Sequence, residues 1–151
     1  MDAVTYPNRK VIELLQNRVI PLQLESSAQP YATDYCVKWT PNLLIIDGDG
    51  KEYHRIIGFL PPVELIPSVL LGIGKGYFGK DELKEAIGCF EEVISEYPHT
   101  SSAPEAIFFR GVAGYKSTHQ TEHLKEAYRK LQVGYHFSEW SRRAYPYWLL
   151  P

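Results

Sequence analysis

The chain has 151 residues, a length that suits one domain or two small domains sharing a core. Its formal net charge is −2 with acidic and basic residues interspersed, so no basic patch indicates nucleic acid, and no apolar run approaches the roughly 20 residues that span a bilayer. With no recognisable signal peptide at the N-terminus and 2 lone cysteines, which fit a reducing compartment, the expected location is the cytoplasm.

The first predicted elements are a helix, a strand and a short helix. Asn8 is a good capping residue, and the apolar residues after it recur at helical spacing through Arg18. Residues 19–24 are predicted to form a strand, and Pro21 within it favours an edge position or a bulge. A short helix is predicted over residues 29–35. Together with the next strand, these elements predict a right-handed parallel βαβ unit.

A β-hairpin follows. Leu43 to Ile46 is a short β-branched apolar run between Pro41 and Asp-Gly-Asp-Gly, a pattern typical of a strand buried on both faces. Residues 47–51 have the composition of a tight turn, since Gly and Asp tolerate positive φ. Residues 52–58 are predicted to form the return strand, and this strand is expected to be half-exposed.

Five short segments follow one another in this part of the chain: Tyr35-Cys36-Val37, Thr40-Pro41, Leu43 to Ile46, Asp49-Gly50-Lys51 and Ile56-Ile57-Gly58-Phe59. In this order they resemble the second half of a thioredoxin-like domain. The resemblance covers roughly residues 1–66. It implies a cis peptide bond before Pro41, with Trp39, Thr40 and Pro41 as the remaining part of a surface that holds a substrate backbone. The alternative is a trans proline that opens the strand.

The redox motif of that family is missing from the chain. Its redox members carry Cys-x-x-Cys at a helix N-terminus, where the thiol pKa is lowered, whereas Cys36 and Cys89 lie far apart in this sequence. Met1 to Tyr6 resembles the segment that directly follows Cys-x-x-Cys in such relatives. The resemblance therefore implies either that the motif lies upstream of Met1 or that this version is stripped of its thiols.

Helical periodicity dominates from Val63 onward. Pro62 suits the first position of a helix, and Pro67 predicts a kink or a restart. The residues that follow form the pattern Leu70-x-x-Ile73-Gly74-x-x-Tyr77, then Ala86-x-x-x-Phe90, then Pro98, with Gly74 and Ala86 at the helix crossing and Tyr77 and Phe90 beside it. This pattern resembles one tetratricopeptide unit, which implies helices near 68–79 and 82–96.

A second, degenerate unit follows the first. Gly111 in a helix that opens at Pro104 corresponds to Gly74, and Ala127 corresponds to Ala86. The longer interval is assigned to a loop over residues 117–121. A last half-helix is predicted over residues 138–144. The segment after it, Tyr145-Pro-Tyr-Trp-Leu-Leu, is too apolar to lie free in water, so we expect it to cover the open end of the helices or a partner chain.

Patterns that suggest chemistry are weak. Residues 72–76 resemble a phosphate-binding loop but lack the Ser or Thr after the lysine. Residues 47–50 resemble the start of a calcium loop but lack its later ligands, so a turn is favoured. His119 and His123 have the spacing of a zinc pair, but no third ligand lies nearby. His54 is predicted to be a surface residue, and both cysteines are predicted to be buried and inert.

The predicted fold class is α/β, with a truncated thioredoxin-like sheet (parallel βαβ plus an antiparallel hairpin strand) followed by an all-α tetratricopeptide-like region. The predicted domains are residues 1–66 and 67–151. No catalytic residue, metal ligand or cofactor is predicted.

The predicted function is that of an adaptor that binds a protein or peptide without redox activity. Nucleic acid and membrane are not expected as partners. Trp39, Thr40 and Pro41 are the candidate binding residues of the first part, and Lys75, Tyr77, Phe78 and Arg110 are those of the helical part. One alternative is a thiol–disulfide oxidoreductase whose Cys-x-x-Cys precedes Met1; another is a purely structural assembly module. Because residues 43–46 are apolar, an open edge there would attract another chain, so we expect a homodimer that covers either this edge or the aromatic C-terminal segment.

Overall fold

The computed structural model describes residues Met1 to Pro151 as a mixed α/β chain that is mostly helical. None of its helices combines the length and the apolar composition that a bilayer-crossing segment needs. In chain order the elements are α1 (Arg9–Arg18), α2 (Tyr31–Asp34), β1 (Asn42–Ile46), β2 (Glu52–Ile57), α3 (Pro62–Gly79), α4 (Leu83–Glu96), α5 (Ser102–Thr118), α6 (Glu122–Gly134), α7 (Glu139–Arg143) and a 3₁₀ helix (Tyr145–Leu149).

Helix α1 begins as the sequence predicts. The Asn8 side chain accepts hydrogen bonds from the Lys10 amide at 3.0 Å and the Val11 amide at 3.4 Å, which satisfies two of the free N–H groups of the first turn. Val11 is fully buried and packs into the same core as α3. The helix is therefore fixed both by its cap and by its apolar side.

The strand predicted over residues 19–24 does not form. The sheet contains only β1 and β2, which run antiparallel, so the predicted parallel βαβ unit is wrong. Residues 20–24 are exposed and make no backbone hydrogen bond within the chain. A strand needs a ladder, and Pro21 removes one of the few donors that so short a segment has. The short helix after it is confirmed, with four residues in α2.

The predicted hairpin is confirmed. Leu43 lies opposite Ile56 and Ile45 opposite His54, and the register shifts at a bulge after Ile45. The Asp47 side chain closes the turn by accepting hydrogen bonds from the amides of Asp49 at 3.1 Å and Lys51 at 2.9 Å. The Thr40–Pro41 peptide bond is cis, as the resemblance implies, and so is the bond between residues 29 and 30, which was not predicted.

The two faces of the hairpin differ in burial. Leu43, Ile45 and Ile56 pack on the core at α3, whereas Ile46 and Ile57 stay 43% and 60% exposed. The prediction that the first strand is buried on both faces is therefore wrong. The reason is that α3 covers one side of a two-stranded sheet, and no element of comparable size covers the other.

Helix α3 runs unbroken from Pro62 to Gly79 through Pro67. The predicted first position of Pro62 is confirmed, and the predicted restart at Pro67 is wrong. The hydrogen bond that Pro67 cannot donate would end on the Val63 carbonyl in the first turn, where water can replace it. Burial of the surrounding residues offsets that loss, since residues 65–72 are all buried. The predicted domain boundary between residues 66 and 67 lies within this helix.

The remaining helices pack in sequential antiparallel pairs, from α3 against α4 to α5 against α6. The predicted contact in the first pair is confirmed: a Cβ on Gly74 would lie 2.6 Å from the Phe90 ring, and Phe90 and Ala86 are fully buried. The predicted counterpart in the second pair is also confirmed, since a Cβ on Gly111 would lie 2.5 Å from Cβ of Ala127.

The apolar C-terminal segment packs on the helices, as expected. Tyr147 stacks on Phe108 of α5 with ring centroids 5.6 Å apart, and Trp148 lies 5.9 Å from Tyr128 of α6. Lys125 donates a hydrogen bond to the Pro151 carbonyl at 2.7 Å. The segment thus covers one side of the α5–α6 pair.

Candidate functional site

The first candidate surface follows the free edge of β1. Gly58 donates to the Pro41 carbonyl at 2.8 Å and Asp47 donates to the Lys51 carbonyl at 3.1 Å, so the odd-numbered residues of β1 face β2. By the alternation of an antiparallel ladder, Asn42, Leu44 and Ile46 direct their N–H and C=O groups outward. No backbone hydrogen bond of the chain uses these outward groups.

The residues that precede β1 extend this edge. Trp39 is 70% exposed, and it lines a shallow cleft of about 270 Å³ together with Ser26, Val37, Lys38 and Thr40. We call the strip formed by Trp39, Thr40, Pro41, Leu44 and Ile46 the β1 edge surface. The structure therefore brings three of the predicted binding residues together with an unpaired strand edge.

An exposed apolar segment ends at the same cleft. Ile20 is 96% exposed, Leu22 76% and Leu24 47%, and their backbone groups are also free of hydrogen bonds within the chain. Ser26, two residues further on, lines the cleft beside Trp39. Sequence reasoning assigned these residues to a strand and so missed that they are the most exposed apolar segment of the chain.

Lys75 lies in a polar network between the hairpin, α3 and α5. Its ammonium nitrogen is 2.8 Å from Glu105 Oε1 and 3.3 Å from His54 Nδ1, and His54 Nε2 is 3.0 Å from Ser68 Oγ. Burial first, and the Lys75 charge second, lower the pKa of His54 to about 4. The prediction that His54 is a surface residue is wrong.

The chemistry of this network follows from its donors. An ammonium can only donate, so Nδ1 of His54 accepts from Lys75 and the Nε2–H donates to Ser68. A general base toward the serine would need the opposite tautomer. The network therefore joins elements rather than activating a nucleophile. Ser68, Gly72 and Lys75 are spaced by four and three residues along α3, so they lie on one face of the helix. Two polar residues and a glycine on the same face of an otherwise apolar helix are the sequence signal that could have revealed the network.

The other predicted residues of the helical part lie on two different sides. Phe78 packs edge-on against Phe109 at 5.7 Å, with Lys116 5.0 Å above its ring, so it faces the α3–α5 side with Lys75. Tyr77 is partly buried and packs against the core. Arg110 instead bridges α4 and α6, as its guanidinium lies 3.3 Å from Glu91 and 3.1 Å from Glu126. The structure does not bring it together with Lys75.

The two cysteines occupy different environments. Cys36 is exposed, so the prediction that it is buried is wrong, and Cys89 is buried as predicted. Burial raises the pKa of the Cys89 thiol, with the Arg18 guanidinium, 3.7 Å from its sulfur, opposing that rise. The buried thiol thus disfavours the thiolate that exchange chemistry needs.

Ligand and metal sites are not evident elsewhere. No group of three or more His, Cys, Asp or Glu side chains could hold a metal ion, and His119 and His123 form no such group. The larger surface cleft, of about 380 Å³ between α1, α3 and α4, is lined by two basic and two acidic side chains, so it has no net charge to select an ion: Lys10, Arg18, Glu13 and Glu92.

In comparisons with known proteins, no protein-family model, no curated protein and no solved structure matches this chain.

Proposed function

We propose that the chain is a protein-binding module of thioredoxin-like plus tetratricopeptide type that takes an extended polypeptide segment along the β1 edge surface. The observation that carries this proposal is the row of unpaired outward N–H and C=O groups at Asn42, Leu44 and Ile46. An exposed strand edge is a template for another strand, because main-chain hydrogen bonds supply affinity whatever the side chains are.

The side chains along the edge suit an apolar partner. Trp39 and Ile46 are exposed and no charged side chain lies between them in the sequence, so an edge-blocking lysine is absent. A large aromatic residue such as Trp39 contributes much apolar contact area while losing few rotamers. The edge surface therefore favours a segment with apolar residues at alternate positions.

The helical candidates are less available for a partner. Lys75 and Arg110 already form ion pairs with acidic residues of neighbouring helices. A partner that recruited Lys75 would leave Glu105, whose side chain is only 16% exposed, without its cation, and unpairing a partly buried charge is costly. Binding is therefore assigned to the β1 edge surface. No thiol–disulfide exchange is assigned to Cys36 or to the buried Cys89.

A fluorescein-labelled peptide of alternating valine and threonine residues tests the proposal by fluorescence anisotropy. We expect saturable binding to the parent chain, because the peptide can add to the free edge of β1. Ile46→Lys should weaken this binding by about tenfold or more, since a charge on an edge strand opposes strand addition.

Val133→Lys is the matched control, because Val133 is 88% exposed but lies on α6, away from the edge. This variant should bind like the parent. Saturable binding with equal affinity in the parent and in the Ile46→Lys chain would refute the proposed function.

A further inference from the structure

We infer that the segment bound along β1 is residues 20–24 of a second copy of this chain, and that two copies exchange these segments reciprocally. This inference rests on the proposed function, because it names the partner that occupies the same edge. Both segments are five residues long and rich in apolar side chains. Residues 20–24 make no backbone hydrogen bond within the chain, and the outward groups of β1 are unpaired because β1 pairs only with β2.

Pro21 determines which residues of the segment can face β1. In an antiparallel ladder, alternate residues point their N–H and C=O groups to the same neighbour. If Ile20, Leu22 and Leu24 face the edge, then Pro21 lies at a position whose N–H is not required. The outward groups of β1 are also those of alternate residues, at 42, 44 and 46, so the two sets match one to one.

Charge determines the direction of pairing. In the antiparallel arrangement Ile20 lies opposite Ile46, Leu22 opposite Leu44 and Leu24 opposite Asn42. Glu25 then lies at the end of β1 that leads back to Lys38, and both of these side chains are exposed and without an ion pair in the chain. A parallel arrangement would instead bring Glu25 beside the Asp47 carboxylate, where like charges repel.

The apolar side chains fit the same arrangement. Directly opposite residues of an antiparallel pair place their side chains on the same face of the sheet. Pairing Ile20 with Ile46, and Leu22 with Leu44, would therefore place the two most exposed of the segment's apolar side chains beside apolar neighbours on the face of the hairpin that α3 leaves uncovered. Because each copy offers one segment and one β1 edge, reciprocal exchange about a two-fold axis uses the segment and the β1 edge of both copies and closes the assembly as a dimer.

Size-exclusion chromatography with light scattering at micromolar concentration is the first test. We expect the parent and the Val133→Lys control to have twice the mass of one chain. Leu22→Lys and Ile46→Lys should each have the mass of one chain, and both positions are exposed enough to accept lysine without unfolding, which circular dichroism checks. A monomeric parent, or a dimer that survives both substitutions, would overturn the inference.

Disulfide trapping tests the direction. In a Cys36→Ser background, the pair Ile20→Cys and Ile46→Cys should give a covalent dimer on mild oxidation, because the two positions lie opposite each other. The pair Ile20→Cys and Asn42→Cys, opposite only in a parallel arrangement, should not. The reverse pattern would contradict the antiparallel exchange.

The peptide experiment separates this inference from the proposed function. Leu22→Lys leaves β1 unchanged, so this chain should still bind the valine–threonine peptide whether or not the parent dimerises. Peptide binding by a parent that is monomeric would keep the function and reject the second copy as partner. Failure of the Leu22→Lys chain to bind the peptide, with Ile46→Lys equally inactive, would reject the function itself.

Discussion

His54 shows how one polar side chain can join three elements. Its side chain extends from β2 and contacts Ser68 of α3 through one ring nitrogen and Lys75 of α3 through the other. Lys75 is in turn paired with Glu105 of α5. When the imidazole is neutral, both of its ring nitrogens have hydrogen-bond partners. Burial and the neighbouring Lys75 ammonium disfavour protonation of the ring, which would add a second positive charge. The hairpin is therefore held on the helices by a contact that depends on protonation.

The first prediction concerns acid stability. The native pKa of His54 is about 4, below the ordinary value of 6.5, so the unfolded chain binds a proton that the native chain excludes between these values. Through this group, the free energy of unfolding should fall by about 3 kcal/mol as pH drops from 6.5 to 4. Urea unfolding above pH 6.5 and at pH 4 measures it.

His54→Gln is the matched variant, because it keeps a hydrogen-bonding side chain that does not titrate. Its stability should change less over the same interval than that of the parent, by about the same 3 kcal/mol. Identical pH dependence in the two proteins would show that His54 is not the group responsible.

At the scale of elements, close helix crossing depends on glycine where two axes meet. A side chain at Gly74 would collide with Phe90, and one at Gly111 would collide with Ala127. Gly88, on the exposed side of α4, has no atom within 4 Å of a built Cβ. Glycines in these helices therefore belong to two classes, one required by packing and one that only lowers helix propensity.

The second prediction compares those classes. Gly74→Ala should destabilise the chain by about 1–3 kcal/mol, because the methyl group must displace the fully buried Phe90 ring. Gly88→Ala should stabilise it by about 0.5–1 kcal/mol, since alanine is the better helix former. Thermal and urea unfolding of both variants measures the difference. A stabilising Gly74→Ala substitution would contradict the crossing described for α3 and α4.

At this scale the sequence predicted the features that local signals determine. Helical spacing, the Asn8 cap, the Asp-Gly turn and the small residues at 74 and 111 act within or between neighbouring elements, and the corresponding structure is confirmed. The strand over residues 19–24 failed because a strand depends on a partner that local composition cannot reveal. The His54 network was missed for the same reason, since its members come from three elements.

At the scale of the molecule, one apolar core joins the N-terminal part to the helices. Its buried members include Val11 of α1, Ile56 of β2 and Phe90 of α4, and α3 passes through its middle. A second, smaller cluster lies between α5, α6 and the end of α7. Because α1 and the hairpin share their core with α3 and α4, residues on either side of position 66 should unfold together.

The last prediction tests that cooperativity. Val11→Ala removes two methyl groups from a fully buried site in α1 and should cost about 2 kcal/mol. In a Trp39→Phe background, tryptophan fluorescence reports on the C-terminal part of the chain through Trp140 and Trp148. The loss should be the same by this fluorescence and by circular dichroism, at one fixed protein concentration. Ile12→Ala, the next residue and 39% exposed, is the control and should cost less than about 1 kcal/mol. If fluorescence stayed at the parent midpoint while circular dichroism showed an early transition in Val11→Ala, α1 would unfold alone, and the shared core would not bind the two parts into one cooperative unit.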